Sequence, residues 1–166
     1  MRWLPWFILA YVAIGLQIGL SGPLRWHGAS PDFVLIAAVF VALHAPREGA
    51  LLGCFALGAL HDLVSMQSMG LYALSYGLLG LAASGSAQAV YRGHPLTHFA
   101  LTFLGGMICA VTILVHNWLR LPPPRTGVLT LTWSALYTAL VAPLALGALH
   151  RLRRIFGFAA TRRRVF

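Results

Sequence analysis

Residues Glu48–Gly80 read EGALLGCFALGALHDLVSMQSMGLYALSYGLLG. An apolar, glycine-studded helix runs into the pair His61-Asp62, breaks over a polar turn, and restarts at Gly70 as a second apolar helix. Asp62 is one of only three acidic residues in 166. It ends a segment hydrophobic enough to enter a bilayer, where a carboxylate is costly and marks a site whose partner has to be found.

The rest of the chain shares that apolar character. Hydrophobic residues make up 59% and charged residues 9%, against about 45–50% and 25% in soluble domains, and the mean hydropathy is +0.79. This is the composition of an all-α integral membrane protein. A span takes roughly 20 residues, so six transmembrane helices use up positions 1–150 as a single membrane domain and leave no room for a soluble one. The net charge of +9 comes entirely from arginine. Half of these residues, Arg151, Arg153, Arg154, Arg162, Arg163 and Arg164, form a basic tail over 151–166 beside the last apolar segment. There, contact with anionic lipid or the cytoplasm explains them, and nucleic acid is not expected as a partner without a recognition module. Cys54 and Cys109 lie in mid-segment and read as buried thiols.

The spans fall at about 3–20, 33–45, 49–64, 71–90, 96–118 and 128–149, the first one uncleaved. In the first, Gly15 and Gly19 allow a close helix approach, and Gln17 between them should face protein. Ser30-Pro31-Asp32 opens the second span, with Ser30 as N-cap, Pro31 at the first helical position and Asp32 against the helix dipole. This span is short for a crossing. In the third, at about 100° per residue, Gly49 and Gly53 fall on one side and Gly58 and Asp62 nearly opposite. Small residues on two faces place this helix inside the bundle. Tyr72 and Tyr76, spaced i,i+4, come within reach of Asp62. Pro95 opens the fifth span, Leu121–Gly127 cannot continue a helix, and Pro143 should kink the sixth unless neighbours satisfy the freed carbonyl. Nine arginines fall on the side of the termini and three on the other, so both termini should be cytoplasmic and Asp32 and Asp62 external.

Chemistry is sparse. Glu48 and Asp62 stand roughly 21 Å apart along one helix and cannot act as a pair. His94 and His98 have a metal-pair spacing without a third ligand nearby. No zincin, nucleophile-elbow or P-loop motif is present. No catalytic residue, metal or cofactor is expected. Asp62 with His61 reads first as a structural or partner-binding group, ahead of proton or ion handling.

Pro31-Asp32 opening a short helix, a tight turn into Gly49, Gly53 and Gly58, then Asp62 and Gly70-Leu71-Tyr72, resemble the rod shape-determining protein MreD family. The motif positions are Pro31, Asp32, Gly53, Gly58, Asp62 and Gly70. The resemblance implies a non-enzymatic, multi-pass subunit of the bacterial inner membrane that serves cell shape and peptidoglycan synthesis in the elongation machinery. Its expected direct partner is the bitopic protein MreC, with MreB, RodA and its penicillin-binding transpeptidase as indirect ones. It also implies a fold similar to the substrate-binding subunits of energy-coupling-factor transporters. The competing reading is a small-molecule or vitamin-binding transporter subunit with a cleft near Asp62, Tyr72 and Tyr76.

Overall fold

The structure, a computed structural model, describes residues 3–26, 28–65, 68–86, 95–119 and 127–156. Six helices form there: α1 Trp3–Leu20, α2 Phe33–His44, α3 Arg47–Val64, α4 Leu71–Ser86, α5 Pro95–Leu119 and α6 Val128–Phe156. Among the described residues there is no strand, only an isolated bridge between Trp26 and Ala29. Pro95 opens α5 as expected, and α6 continues past Pro143 and through Arg151, Arg153 and Arg154. Residues 87–90 of the fourth span, the proline loop at 120–126, and Arg162, Arg163 and Arg164 lie outside the described residues.

The centre of the bundle is α2, and not α3 as the small-residue pattern implied. Ten of its twelve residues, Val34 to Leu43, are buried, and it packs against every other helix. The remaining helices make neighbouring contacts α1–α3, α3–α4, α4–α5 and α5–α6 around it. A helix apolar on all sides can be enclosed on all sides. α3 buries one stripe, Ala50, Gly53, Cys54, Leu57, Gly58, His61 and Asp62, and turns Leu52, Phe55 and Leu63 outward. Gly49 is half-buried. Where the surroundings are lipid, the rim of a bundle is as apolar as its core, so small residues mark close approach and not depth.

Twelve residues of helix measure about 18 Å, well short of a hydrocarbon layer of about 30 Å. The chain before α2 therefore folds down into the bundle. Trp26 and Ala29 exchange backbone hydrogen bonds of 2.8 and 2.9 Å around Gly28, whose φ of 84° favours glycine. Ala29 and Pro31 are buried. The N-cap is Asp32 and not Ser30: its carboxylate accepts the Leu35 amide at 2.8 Å, and Pro31 precedes the helix. Gln17 faces protein as expected, its Oε1 accepting the Phe33 amide at 2.7 Å.

The outer surface is a run of large apolar side chains, among them Leu4, Phe7, Leu52, Phe55, Leu104, Val111, Leu140 and Leu144, the surface a lipid solvent accepts. Among the described residues two segments, Leu96–Leu119 and Val128–Leu149, are long and apolar enough to cross a membrane. A Cβ built on Gly15 or Gly19 would meet nothing within 4 Å, so among the described residues the close approach they allow is not made. The tight crossings lie elsewhere. A Cβ on Gly58 would meet the Tyr72 carbonyl and stand 2.6 Å from the Ala73 Cα, and one on Gly106 would stand 2.8 Å from the Ala135 Cβ.

Backbone atoms opposite Gly58 cannot move aside as a side-chain tip can. Gly58→Ala should therefore lower stability in detergent by about 1–3 kcal/mol. At Gly77, a new Cβ would meet only the Phe55 ring at 3.6 Å, so Gly77→Ala should change the thermal midpoint little. Equal midpoints for the two variants would refute the crossing at Gly58.

Candidate functional site

At the end of the bundle where α3 passes into α4, the Asp62 carboxylate is buried and accepts three backbone amides. Oδ2 accepts the amides of Gly70 and Ala73, and Oδ1 the amide of Tyr72, each at 3.0 Å. These are donors at the start of α4 that have no partner within the helix. A carboxylate there also answers the positive end of the helix dipole. The chain reaches this geometry through Gly70, whose φ of 97° is a left-handed conformation. Ser65 donates to the Asp62 backbone carbonyl at 3.4 Å, so the carboxylate is left to the α4 amides.

Asp32 does the same for α2 and joins a longer chain of bonds. Its Oδ2 accepts the Tyr76 hydroxyl at 2.8 Å, and that hydroxyl lies 2.8 Å from His61 Nδ1. Tyr76 has one proton, which goes to Asp32, so His61 donates from Nδ1 to the Tyr76 oxygen. His61 Nδ1 lies 3.9 Å from Asp32 Oδ2. The imidazole stacks on the Tyr72 ring, with centroids 4.1 Å apart. On the other side, the Asp32 amide donates to Thr138 Oγ1 at 3.0 Å, and Ser134 Oγ donates to the Ser30 carbonyl at 2.6 Å. Side chains from α3, α4 and α6 thus converge on the start of α2.

Of the residues singled out in the sequence, Pro31, Asp32, Gly58, His61, Asp62, Gly70, Tyr72 and Tyr76 come together here. The tyrosines are not hydroxyl partners of Asp62. Tyr72 meets it through its backbone amide, and the Tyr76 hydroxyl turns to Asp32. Gly53 lies nine residues before Asp62, about 13 Å away along α3, with Gly49 farther still, and Arg151, Arg153 and Arg154 end α6 at the opposite end of the bundle. Sequence reading missed Ser134 and Thr138, although an i,i+4 pair of hydroxyls on an apolar helix is a visible signal. It also missed the bond of 2.9 Å between His116 Nε2 and Ser68 Oγ, which joins α5 to the α3–α4 turn.

A cleft of about 60 Å³ opens beside Asp32, between α2 and α4 on one side and α5 and α6 on the other. Tyr72, Ser134 and Thr138 line its polar part, and Leu35, Ala110, Ile113 and Leu131 its apolar part. It is far smaller than the roughly 300–1,000 Å³ of pockets that enclose an organic cofactor. Among the described residues no group of three or more His, Cys, Asp or Glu side chains is placed to hold a metal.

The family model described as rod shape-determining protein MreD matches residues 1–144, a stretch that contains α1 to α5, the start of α6 and every residue of this network. No curated protein and no solved structure matches the chain.

The Asp62 bonds hold the start of α4 and the Tyr76 bonds tie α2, α3 and α4 together, so the two sites should respond differently. Asp62→Ala leaves three amides without an acceptor and should cost more than about 2 kcal/mol, with Asp62→Asn falling between it and the parent. Tyr76→Phe removes one hydroxyl and should cost about 1–3 kcal/mol. Thermal midpoints in a single detergent give the order, and a harmless Asp62→Ala would refute the capping role.

Proposed function

The chain belongs to the MreD family of rod shape-determining proteins, and from this we propose that it is a non-enzymatic scaffold of the bacterial elongation machinery, holding the bitopic protein MreC in the inner membrane. Through MreC it stands beside MreB, RodA and the penicillin-binding transpeptidase, and so helps set where peptidoglycan is made. The observation that carries this reading is the use made of the interior acids. Asp32 and Asp62 are both engaged in fixing helix starts, a task that stiffens a bundle. An enzyme's acid and base need freedom to exchange protons with a substrate.

The scaffold acts by packing. In lipid, helices associate through van der Waals contact and interhelical hydrogen bonds, and a rigid bundle offers a partner's single helix a surface with little ordering left to do. The arginine distribution orients the protein with six spans and both termini in the cytoplasm, placing the Asp32–Tyr76–His61 network at the external end. The likeness to energy-coupling-factor subunits rests on the family resemblance, and the small cleft gives the vitamin-binding alternative little room.

Affinity purification of the full chain in mild detergent should retain MreC, and Gly58→Leu, which forces α3 from α4, should lose it and round the cells. Retention of MreC with normal rods in that variant would overturn the packing mechanism. Orientation is checked separately with cysteines placed at Trp26 and at Glu48. A membrane-impermeant maleimide applied to intact spheroplasts should label the first and spare the second.

A further inference from the structure

The cleft beside Asp32 has a chemical bias independent of any partner protein. The Ser134 and Thr138 hydroxyl protons are already committed, to the carbonyls of Ser30 and Ser134 at 2.6 and 2.7 Å. Asp32 uses Oδ1 for the Leu35 amide and Oδ2 for the Tyr76 hydroxyl, while an ionised carboxylate offers about four acceptor sites. Its side chain is 18% exposed. What these three groups still offer is acceptor lone pairs, and among the described residues no arginine or histidine lines the cleft. Such a wall favours a small cationic donor and offers an anion no counter-charge.

The depth of the cleft indicates the source of that donor. Trp118, 86% exposed at the end of α5, and Trp133, 56% exposed beside Ser134 on α6, lie at the same end of the bundle, and exposed tryptophans settle at headgroup level. Leu35, three residues into α2 past Asp32, extends the apolar wall inward, while Leu131, three residues before Ser134 on α6, lies on its outer side. A volume of about 60 Å³ admits an ammonium group with a short alkyl stem and excludes a sugar or a ring system.

We propose that this cleft binds the primary ammonium headgroup of an aminophospholipid, with Asp32 as counter-ion and Ser134 and Thr138 as further acceptors. The phosphodiester stays outside, and the three N–H donors of the ammonium match the acceptors left open. Neither the family assignment nor the proposed MreC contact enters this inference.

Native mass spectrometry of the delipidated full chain tests it, with phosphatidylethanolamine, phosphatidylglycerol and phosphatidylcholine of identical acyl chains added in turn. The wild-type chain should retain phosphatidylethanolamine about tenfold more than either other lipid, as one charge-assisted hydrogen bond would provide. Asp32→Asn, which keeps a good N-cap residue, should abolish the preference, and Glu48→Gln should leave it intact. Equal retention of the three lipids by the wild-type chain, or an unchanged preference in Asp32→Asn, would overturn the proposal. So would binding of n-propylammonium without any headgroup preference, which would assign the cleft to a basic side chain. The wild-type comparison among lipids decides the matter even if the variant fails to fold.

Discussion

A helix that starts inside a bilayer must find acceptors for its first amides without the help of water. α2 meets the same demand in the bundle, because its first turn is buried from Val34 onward. Asp32 and Gln17 take up the amides of Leu35 and Phe33, and the loop before α2 comes down with its own bridge between Trp26 and Ala29. Neighbouring helices then have to meet the groups this descent brings with it. The Ser30 carbonyl and the Asp32 amide both find partners on α6.

The same problem recurs one hairpin later, and the same residue type solves it. Asp62 reaches across the turn to the start of α4, while its neighbour His61 and the α4 residue Tyr76 connect that cap to the first one. A buried polar group left without its hydrogen bond costs about 1–3 kcal/mol. These bonds therefore bind the ends of α2, α3, α4 and α6 into one unit. A stiff end of this kind suits a protein whose family serves cell shape.

Much of this architecture was legible in the chain. Pro31-Asp32 marked a helix start, Gln17 a protein-facing position, Gly58 a close crossing, and His61-Asp62 a costly group tied to a turn. The partners were less visible. Asp32 and Tyr76 lie 44 residues apart, and Asp32 and Thr138 lie 106 apart, and no local pattern reports on such a distance. The position of α3 was misread for a different reason: its glycines do mark tight contact, but a helix at the rim of a lipid-facing bundle has that contact on one face while its large apolar residues meet lipid on the other.

The sequence by itself determined that the chain is helical and membrane-like, where its helices run, and that its few acids are too costly to be incidental. These follow from local composition, periodicity and solvent preference, which each segment carries within itself. Only the tertiary structure decided that α2 is the hub, that Tyr76 answers Asp32 and not Asp62, and that Ser134 and Thr138 border a cleft at the start of α2. Those outcomes depend on which ends of distant helices are brought level with one another, and the length of α2 sets that level.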